Sequence, residues 1–223
     1  MNIVAVNGSP HGAKGATAIL LAELVRSARA AGADVTTLEL SDGTVGPCRA
    51  CDTCHRVGTC PIKDDLARFR DPILAADAVV LASPNYLFSV SAQMKCFMDR
   101  CCGPLHMVAL RGKYAAAVVS SGGEESGEVE RYLLRFLRAF GASTVGSVGA
   151  SAMELLDPAR RPAARRAAAQ LGADLVAAVA AKKSYPDQAA EQTAFAERMK
   201  AIVRFQKDRW TYEYQQWESR RWV

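Results

Sequence analysis

Five short apolar runs, each closed by a turn and each followed by a segment with helical spacing, constrain this chain more than any other feature. The first run, NIVAV at residues 2–6, ends in Asn7-Gly8-Ser9-Pro10. A near-continuous apolar strand has two faces to bury, which suits a parallel sheet covered by helices on both sides. Over residues 16–31, Ile19, Leu20, Leu21, Leu24, Val25 and Ala28 recur on one helical face, and Gly32 supplies a stop. The spacing predicts further strands at 34–40, 78–82, 114–119 and 144–148. It predicts helices from about 64, over 91–102, over 125–140, and an Ala-rich one ending near 183. Strands alternating with helices predict a three-layer α/β sandwich around a five-stranded parallel sheet, with right-handed crossovers.

This pattern assigns residues 1–184 to one domain, interrupted by a cysteine-rich loop at 47–63. Residues 185–223 differ. Pro186 breaks the chain, a polar amphipathic segment carries Phe195, Met199, Ile202 and Phe205, and the end reads RWTYEYQQWESRRWV with all three tryptophans of the chain. Disordered segments are poor in aromatics, so this extension is expected to be helical and to dock, on its own domain or on a sister subunit. Glu213 and Glu218 interleave with its basic residues, which argues against a stacking platform for nucleic acid.

The formal net charge of +5 is mild, and Arg160, Arg161, Arg165 and Arg166 read as a solvated helix face. The N-terminus carries no secretory pattern, and no apolar run reaches the roughly 18 residues a membrane span needs. No membrane or nucleic-acid partner is expected, and the expected location is cytoplasmic. In a reducing compartment, clustered cysteines bind metal or act in catalysis more often than they form disulfides.

Four of the seven cysteines lie in CRACDTCHRVGTC. Cys48, Cys51, Cys54 and Cys60 are spaced C-x2-C-x2-C-x5-C. Two-residue gaps let successive thiolates curl around one centre, as at the start of the bacterial ferredoxin run. Zinc more often takes two separated pairs, so the spacing favours a cubane cluster, with a zinc knot or plain thiols as alternatives. Cys96, Cys101 and Cys102 read as packing residues, with Cys102 also able to serve as an exposed thiol near a helix end. His55 and His106 read as isolated, and Asp64 and Asp65 as charges at a helix start.

The turn after the first strand, GSPHGAKGATAIL, leads into a helix N-terminus, whose N–H groups and dipole favour an anion. Ser9 and Thr17 add hydroxyls, and Gly8, Gly12 and Gly15 allow close backbone approach. The turn matches neither G-x-G-x-x-G nor G-x-x-x-x-G-K-[ST], which weakens the dinucleotide and P-loop readings. Two further turns leave strand carboxyl ends: Ser83-Pro84-Asn85-Tyr86-Leu87-Phe88, and Ser120-Ser121-Gly122-Gly123-Glu124-Glu125. Ligands of open α/β sheets bind at that edge. A phosphate site, an aromatic residue and a backbone-rich loop together suit a phosphorylated planar ring such as flavin mononucleotide (FMN).

GSPHGAKGAT, SPNYLFSVSAQMKCFMDR and CRACDTCHRVGTCPIKDD resemble the NADPH-dependent FMN reductase branch of the flavodoxin-like fold, and within it the iron–sulfur flavoproteins. The resemblance covers about residues 1–180 and leaves out the aromatic tail. It implies that Ser9, His11, Ala16 and Thr17 hold the FMN phosphate. It implies that Pro84, Asn85, Tyr86, Leu87 and Phe88 flank the isoalloxazine, with Tyr86 the flavin-adjacent candidate for catalysis. Ser121, Gly122 and Gly123 would contact the ring's polar edge, and Cys48, Cys51, Cys54 and Cys60 would hold a [4Fe–4S] cluster. This chain has Ala16 and His11 where the family often has Asn and Arg, so its phosphate loop would lean more on backbone N–H groups.

The activity implied is FMN-dependent oxidoreduction and electron transfer, with NAD(P)H or a redox protein as donor and a small molecule as acceptor. The resemblance further implies a homodimer or homotetramer in which the cluster loop approaches a neighbouring subunit's flavin. A cluster-free NAD(P)H-dependent FMN or quinone reductase and a non-enzymatic electron carrier are the alternatives.

Overall fold

The computed structural model describes residues 1–123 and 126–222. Five strands, β1 (Asn2–Asn7), β2 (Asp34–Glu39), β3 (Ala78–Pro84), β4 (Tyr114–Ser121) and β5 (Ser143–Ser151), form one sheet in the order β2-β1-β3-β4-β5. Every pairing is parallel, with Ile3 opposite Val35 and Ala78, and Ala78 opposite Tyr114. The fold is therefore the flavodoxin-like three-layer α/β sandwich.

Alternation along each strand divides the core between the two sheet faces. Ile3, Ala5, Val35, Ala78, Val80, Ala116 and Val118 pack with Leu20, Leu24, Leu171 and Leu175, from helices α1 (Ala16–Ala30) and α8 (Arg161–Ala180). Val4, Val6, Val79, Leu81, Ala115 and Ala117 pack with Phe69, Met94, Phe97 and Leu133 on the other face. Those side chains come from α3 (Leu66–Ala75), α4 (Ala92–Arg100) and α6 (Gly127–Ala139). The start of the helix predicted over 125–140, at residue 125, lies outside the described residues.

One predicted helix is followed by an unpredicted one, and another is divided. The one expected over 91–102 is α4 followed, after Cys101, by a separate α5 (Cys102–His106). Pro104 has no N–H to continue the α4 ladder but is tolerated in the first turn of a new helix, so the axis restarts there. Asp157-Pro158 likewise separates a short α7 (Ala152–Leu156) from α8, which carries Pro162 in its own first turn. The cysteine segment is mostly irregular but contains one helical turn, α2 (Thr53–Val57).

The C-terminal segment forms α9 (Pro186–Phe205) and α10 (Thr211–Ser219). α9 covers the edge strand β5: the Gln188 side chain accepts from the Thr144 N–H at 2.8 Å and donates to its carbonyl at 2.8 Å. An unpaired strand edge is a template for association, and this amide closes part of it. A third apolar cluster joins Met107 to Met199, Val203 and Trp217. No helix among the described residues is long and apolar enough to cross a membrane.

Candidate functional site

The carboxyl ends of β1, β3 and β4 carry three loops that are hydrogen-bonded to one another. In the first, the buried Asn7 side chain acts as a strut. It donates to Glu39 Oε2 at 2.8 Å and to the Gly12 carbonyl at 3.3 Å, and its Oδ1 accepts from the Ser9 N–H at 3.0 Å. Gly12 has φ +52°, a left-handed conformation that glycine adopts without a Cβ penalty. Gly15 occupies the N-cap of α1 and has no side chain to satisfy the first-turn N–H groups. Thr17, buried to 1 % exposure, shares a 2.7 Å hydrogen bond with the hydroxyl of Ser120 at the end of β4. Ser9 is buried, whereas His11 and Ala16 are exposed.

The second loop is tied to the other two. Ser91 caps α4 by accepting from the Met94 N–H, and its hydroxyl donates to the Gly8 carbonyl at 2.5 Å. The Asn85 N–H donates to the Ser120 carbonyl at 2.6 Å. Tyr86 and Ser89 close a tight turn through reciprocal backbone bonds at 2.8 and 3.1 Å. Its two central residues, Leu87 and Phe88, have φ of +50° and +66° and are 93 % and 72 % exposed. Large side chains held in left-handed backbone, with their apolar surface in water, are disfavoured on both counts. Pro84 ends the buried strand, and Tyr86 is half exposed beside it. In the third loop, the buried Ser121 hydroxyl donates to the Gly123 carbonyl, and a side chain at Gly122 or Gly123 would meet nothing within 4 Å. An uncapped N-terminus of a 15-residue helix, an apolar turn and an open glycine loop on one sheet edge fit a phosphorylated flat ring.

The cysteine loop follows β2, off the same edge of the sheet. Cys48, Cys51, Cys54 and Cys60 line one cavity of about 260 Å³ with Arg100, Asp99, His55 and Cys102. Ala50 and Asp52 have φ of +49° and +56°, and these reversals flank Cys51. The Ala50 N–H donates to Cys48 Sγ at 3.4 Å, and hydrogen bonds from Thr53 pull the Cys51 thiol pKa down. The exposed Arg49 also lines this wall, and Arg100 is its buried cation. Its guanidinium donates to Asp64 at 2.8 and 3.1 Å and to the Gly46 carbonyl at 2.9 Å, while its Nε is buried with no partner among the described residues. A buried donor without an acceptor costs free energy, so a wall of four thiols with such a donor fits an anionic sulfur cluster.

The structure corrects the reading of the histidines. Far from isolated, the His55 and His106 rings stack with centroids 4.9 Å apart, and Trp210 stacks on His55 at 4.4 Å. His55 Nδ1 lies 2.5 Å from Glu213 Oε1, and His106 Nδ1 lies 3.2 Å from Glu213 Oε2. On their other sides, His55 Nε2 and His106 Nε2 lie 4.0 and 3.5 Å from Cys102 Sγ. Cys102 is accordingly half-buried and engaged, whereas Cys101 is the buried packing residue. Burial would raise the Cys102 thiol, but His106 and His55 outweigh it and bring its pKa down to about 6. Cys102 and His106, four residues apart on one helix face, were a visible pair; His55 and Glu213 gave no local signal.

Residues 1–154 match the family described as NADPH-dependent FMN reductase. An iron–sulfur flavoprotein of Archaeoglobus fulgidus is 36% identical over 147 residues, which cover 66% of this chain and 66% of that one. A second, from Methanocaldococcus jannaschii, is 33% identical over 129 residues, covering 57% of this chain and 66% of that one. The match thus spans just under two thirds of the length of these relatives. Among solved structures, RosB with bound 8-demethyl-8-formylriboflavin-5'-phosphate superposes with a TM-score of 0.69 at 14% identity, over 90% of this chain and 87% of that one.

Proposed function

The chain belongs to the NADPH-dependent FMN reductase family, and from that premise we propose that it is an FMN-dependent oxidoreductase carrying a [4Fe–4S] cluster. The observation that carries the flavin reading is the 2.7 Å bond between Thr17 and Ser120, which joins the phosphate turn to the third loop across the switch point between β1 and β3. Ser9, Thr17 and the first-turn N–H groups of α1 would hold the phosphate, with His11 and Ala16 at its rim. Pro84, Asn85, Tyr86, Leu87 and Phe88 would flank the ring. Ser121, Gly122 and Gly123 would face its polar edge. Tyr86 is the side chain best placed to orient a reactant against the ring. Bound there, FMN supplies hydride and single-electron chemistry, and the protein supplies position and a water-poor face.

Cys48, Cys51, Cys54 and Cys60 would ligate the cluster, with Arg100 Nε donating to its sulfur and Arg100's charge offsetting its own. The iron–sulfur names of the relatives support this reading, as does the cavity shared by the four thiols. The exposed Leu87-Phe88 turn supports a homodimer or homotetramer in which a second subunit covers that edge. The expected donor is NAD(P)H or a redox protein, the acceptor a small molecule. The cytoplasm is the expected compartment, because cluster thiolates persist where thiols stay reduced.

Anaerobic purification followed by flavin, iron and sulfide counts tests both cofactors. The expected result is about one FMN and about four iron and four sulfide per chain, with iron lost in Cys51→Ser. FMN without sulfide leaves the cluster-free reductase. Failure to oxidise NADPH with any quinone or flavin acceptor leaves an electron carrier.

A further inference from the structure

We propose that His55, Cys102 and His106 form a second metal site, using none of the four thiols of Cys48, Cys51, Cys54 and Cys60, that takes a single divalent ion of borderline softness such as zinc. The ligand atoms of these three residues all lie within 4.8 Å of one another. A tetrahedral ion with bonds of roughly 2.0–2.3 Å to nitrogen and sulfur sets N···S distances of about 3.5 Å. The two found are 3.5 and 4.0 Å.

Orientation is the stronger argument. Both imidazoles turn Nδ1 toward one carboxylate, Glu213, and both turn Nε2 toward one sulfur, Cys102. A metal-bound histidine characteristically gives its other ring nitrogen to a carboxylate, which sets the tautomer and the ring plane. Here one fully buried carboxylate does this for two rings at once, at 0 % exposure. Trp210 stacks on His55 and lies against His106 at 5.3 Å, closing the group from solvent on that side.

Charge agrees with orientation. One divalent ion between the two imidazoles would be balanced by the Cys102 thiolate that binds it and by the Glu213 carboxylate behind the rings. Cys102 and His55 also line the cavity of the four cysteines, so the fourth coordination position is left to water or to a group entering from there. Because Glu213 belongs to α10, the ion would also fasten the C-terminal extension to α2 and α5. Its ligands are distinct from the four cysteines, although it shares their cavity wall.

The test is zinc content and zinc K-edge X-ray absorption on the full chain, with its flavin and cluster in place, after one equivalent of zinc and desalting. Retention of about one zinc per chain is expected, in a shell of two nitrogen-type and one sulfur ligand plus one light atom. Zinc should be lost in Cys102→Ser and kept in Cys51→Ser. Glu213→Gln preserves the shape of the pocket and should weaken zinc binding roughly 10–100-fold. This variant decides the matter if Cys102→Ser melts early. Zinc that washes out of the unmodified chain, a shell of sulfur alone, or equal affinity in Glu213→Gln overturns the proposal.

Discussion

Asp64 and Arg100 form a two-pronged ion pair at 2.8 and 3.1 Å, with side chains only 8 % and 1 % exposed, that fastens the exit of the cysteine loop to α4. The carboxylate also accepts from the Gly46 N–H at 2.9 Å and the Leu66 N–H at 3.2 Å, so one side chain joins both ends of the loop to the start of α3. The helix-start role read from the sequence thus holds for Asp64 through Leu66 but is secondary to the pair, whereas Asp65 makes no side-chain cap bond and accepts from the Thr44 N–H at 2.7 Å.

Removing one partner leaves the other buried and uncompensated, which typically costs about 3–5 kcal/mol. Asp64→Ala should therefore destabilise the protein by about 3 kcal/mol in urea unfolding. It should also release iron, because Arg100 loses its anchor beside the cysteines. A loss below about 1 kcal/mol would show that the pair contributes little.

The same pair sets a pH dependence. Burial alone would raise the Asp64 carboxyl, but hydrogen bonds from Arg100, Gly46 and Leu66 outweigh it and hold it below the usual carboxylate range. A pKa depressed by folding gives stability that is complete above the unfolded value of about 3.9 and is lost as pH falls through the lower folded value. Acid unfolding should accordingly show a smaller drop in stability across that window in Asp64→Asn than in the unmodified chain.

Thr17→Val keeps the shape of a buried β-branched side chain and removes its hydroxyl, leaving Ser120 without its 2.7 Å partner. A lost hydrogen bond of this kind is worth about 1 kcal/mol, or about fivefold. FMN dissociation measured by flavin fluorescence should weaken by at least that factor, while the far-UV spectrum stays unchanged. Unaltered flavin affinity would remove Thr17 from the site.

Leu87 combines a φ of +50° with 93 % exposure, so its side chain gains nothing from the fold it is seen in. Leu87→Gly should raise the stability of the flavin-free chain by about 1 kcal/mol, by relieving the left-handed strain. It should also lower flavin affinity or the oligomer mass in light scattering. Gain in stability without either loss would mean that the apolar turn serves neither.

Gly58 has φ +80°, and a Cβ there would lie 2.6 Å from the Tyr212 ring of α10. Gly58→Ala should push α10 off the cysteine loop, seen as faster proteolysis beyond residue 205 and quicker exchange of the amides of α10. Protection equal to that of the unmodified chain would show that the ring can step aside.

The sheet was legible because its signals are local. NIVAV and the strands that follow carry their burial in consecutive residues, and Leu20, Leu24 and Ala28 mark a helix face at one fixed period. The break at Pro158 was also written locally, but a regular apolar period on either side masked it. The cysteine spacing marked four thiols that could share one centre without showing that Arg100, 40 residues past the last of the four, lines the same cavity.

His55 and Glu213 lie 158 residues apart, on helices that nothing in either segment pairs. Only the docking of the C-terminal extension against the cysteine loop, driven by Trp210, Trp217 and their apolar neighbours, brings that carboxylate to two imidazoles. Periodicity along a chain determines which face of each element is buried. Which polar groups meet across those faces is decided by the packing of whole elements, and that is a property of the tertiary structure alone.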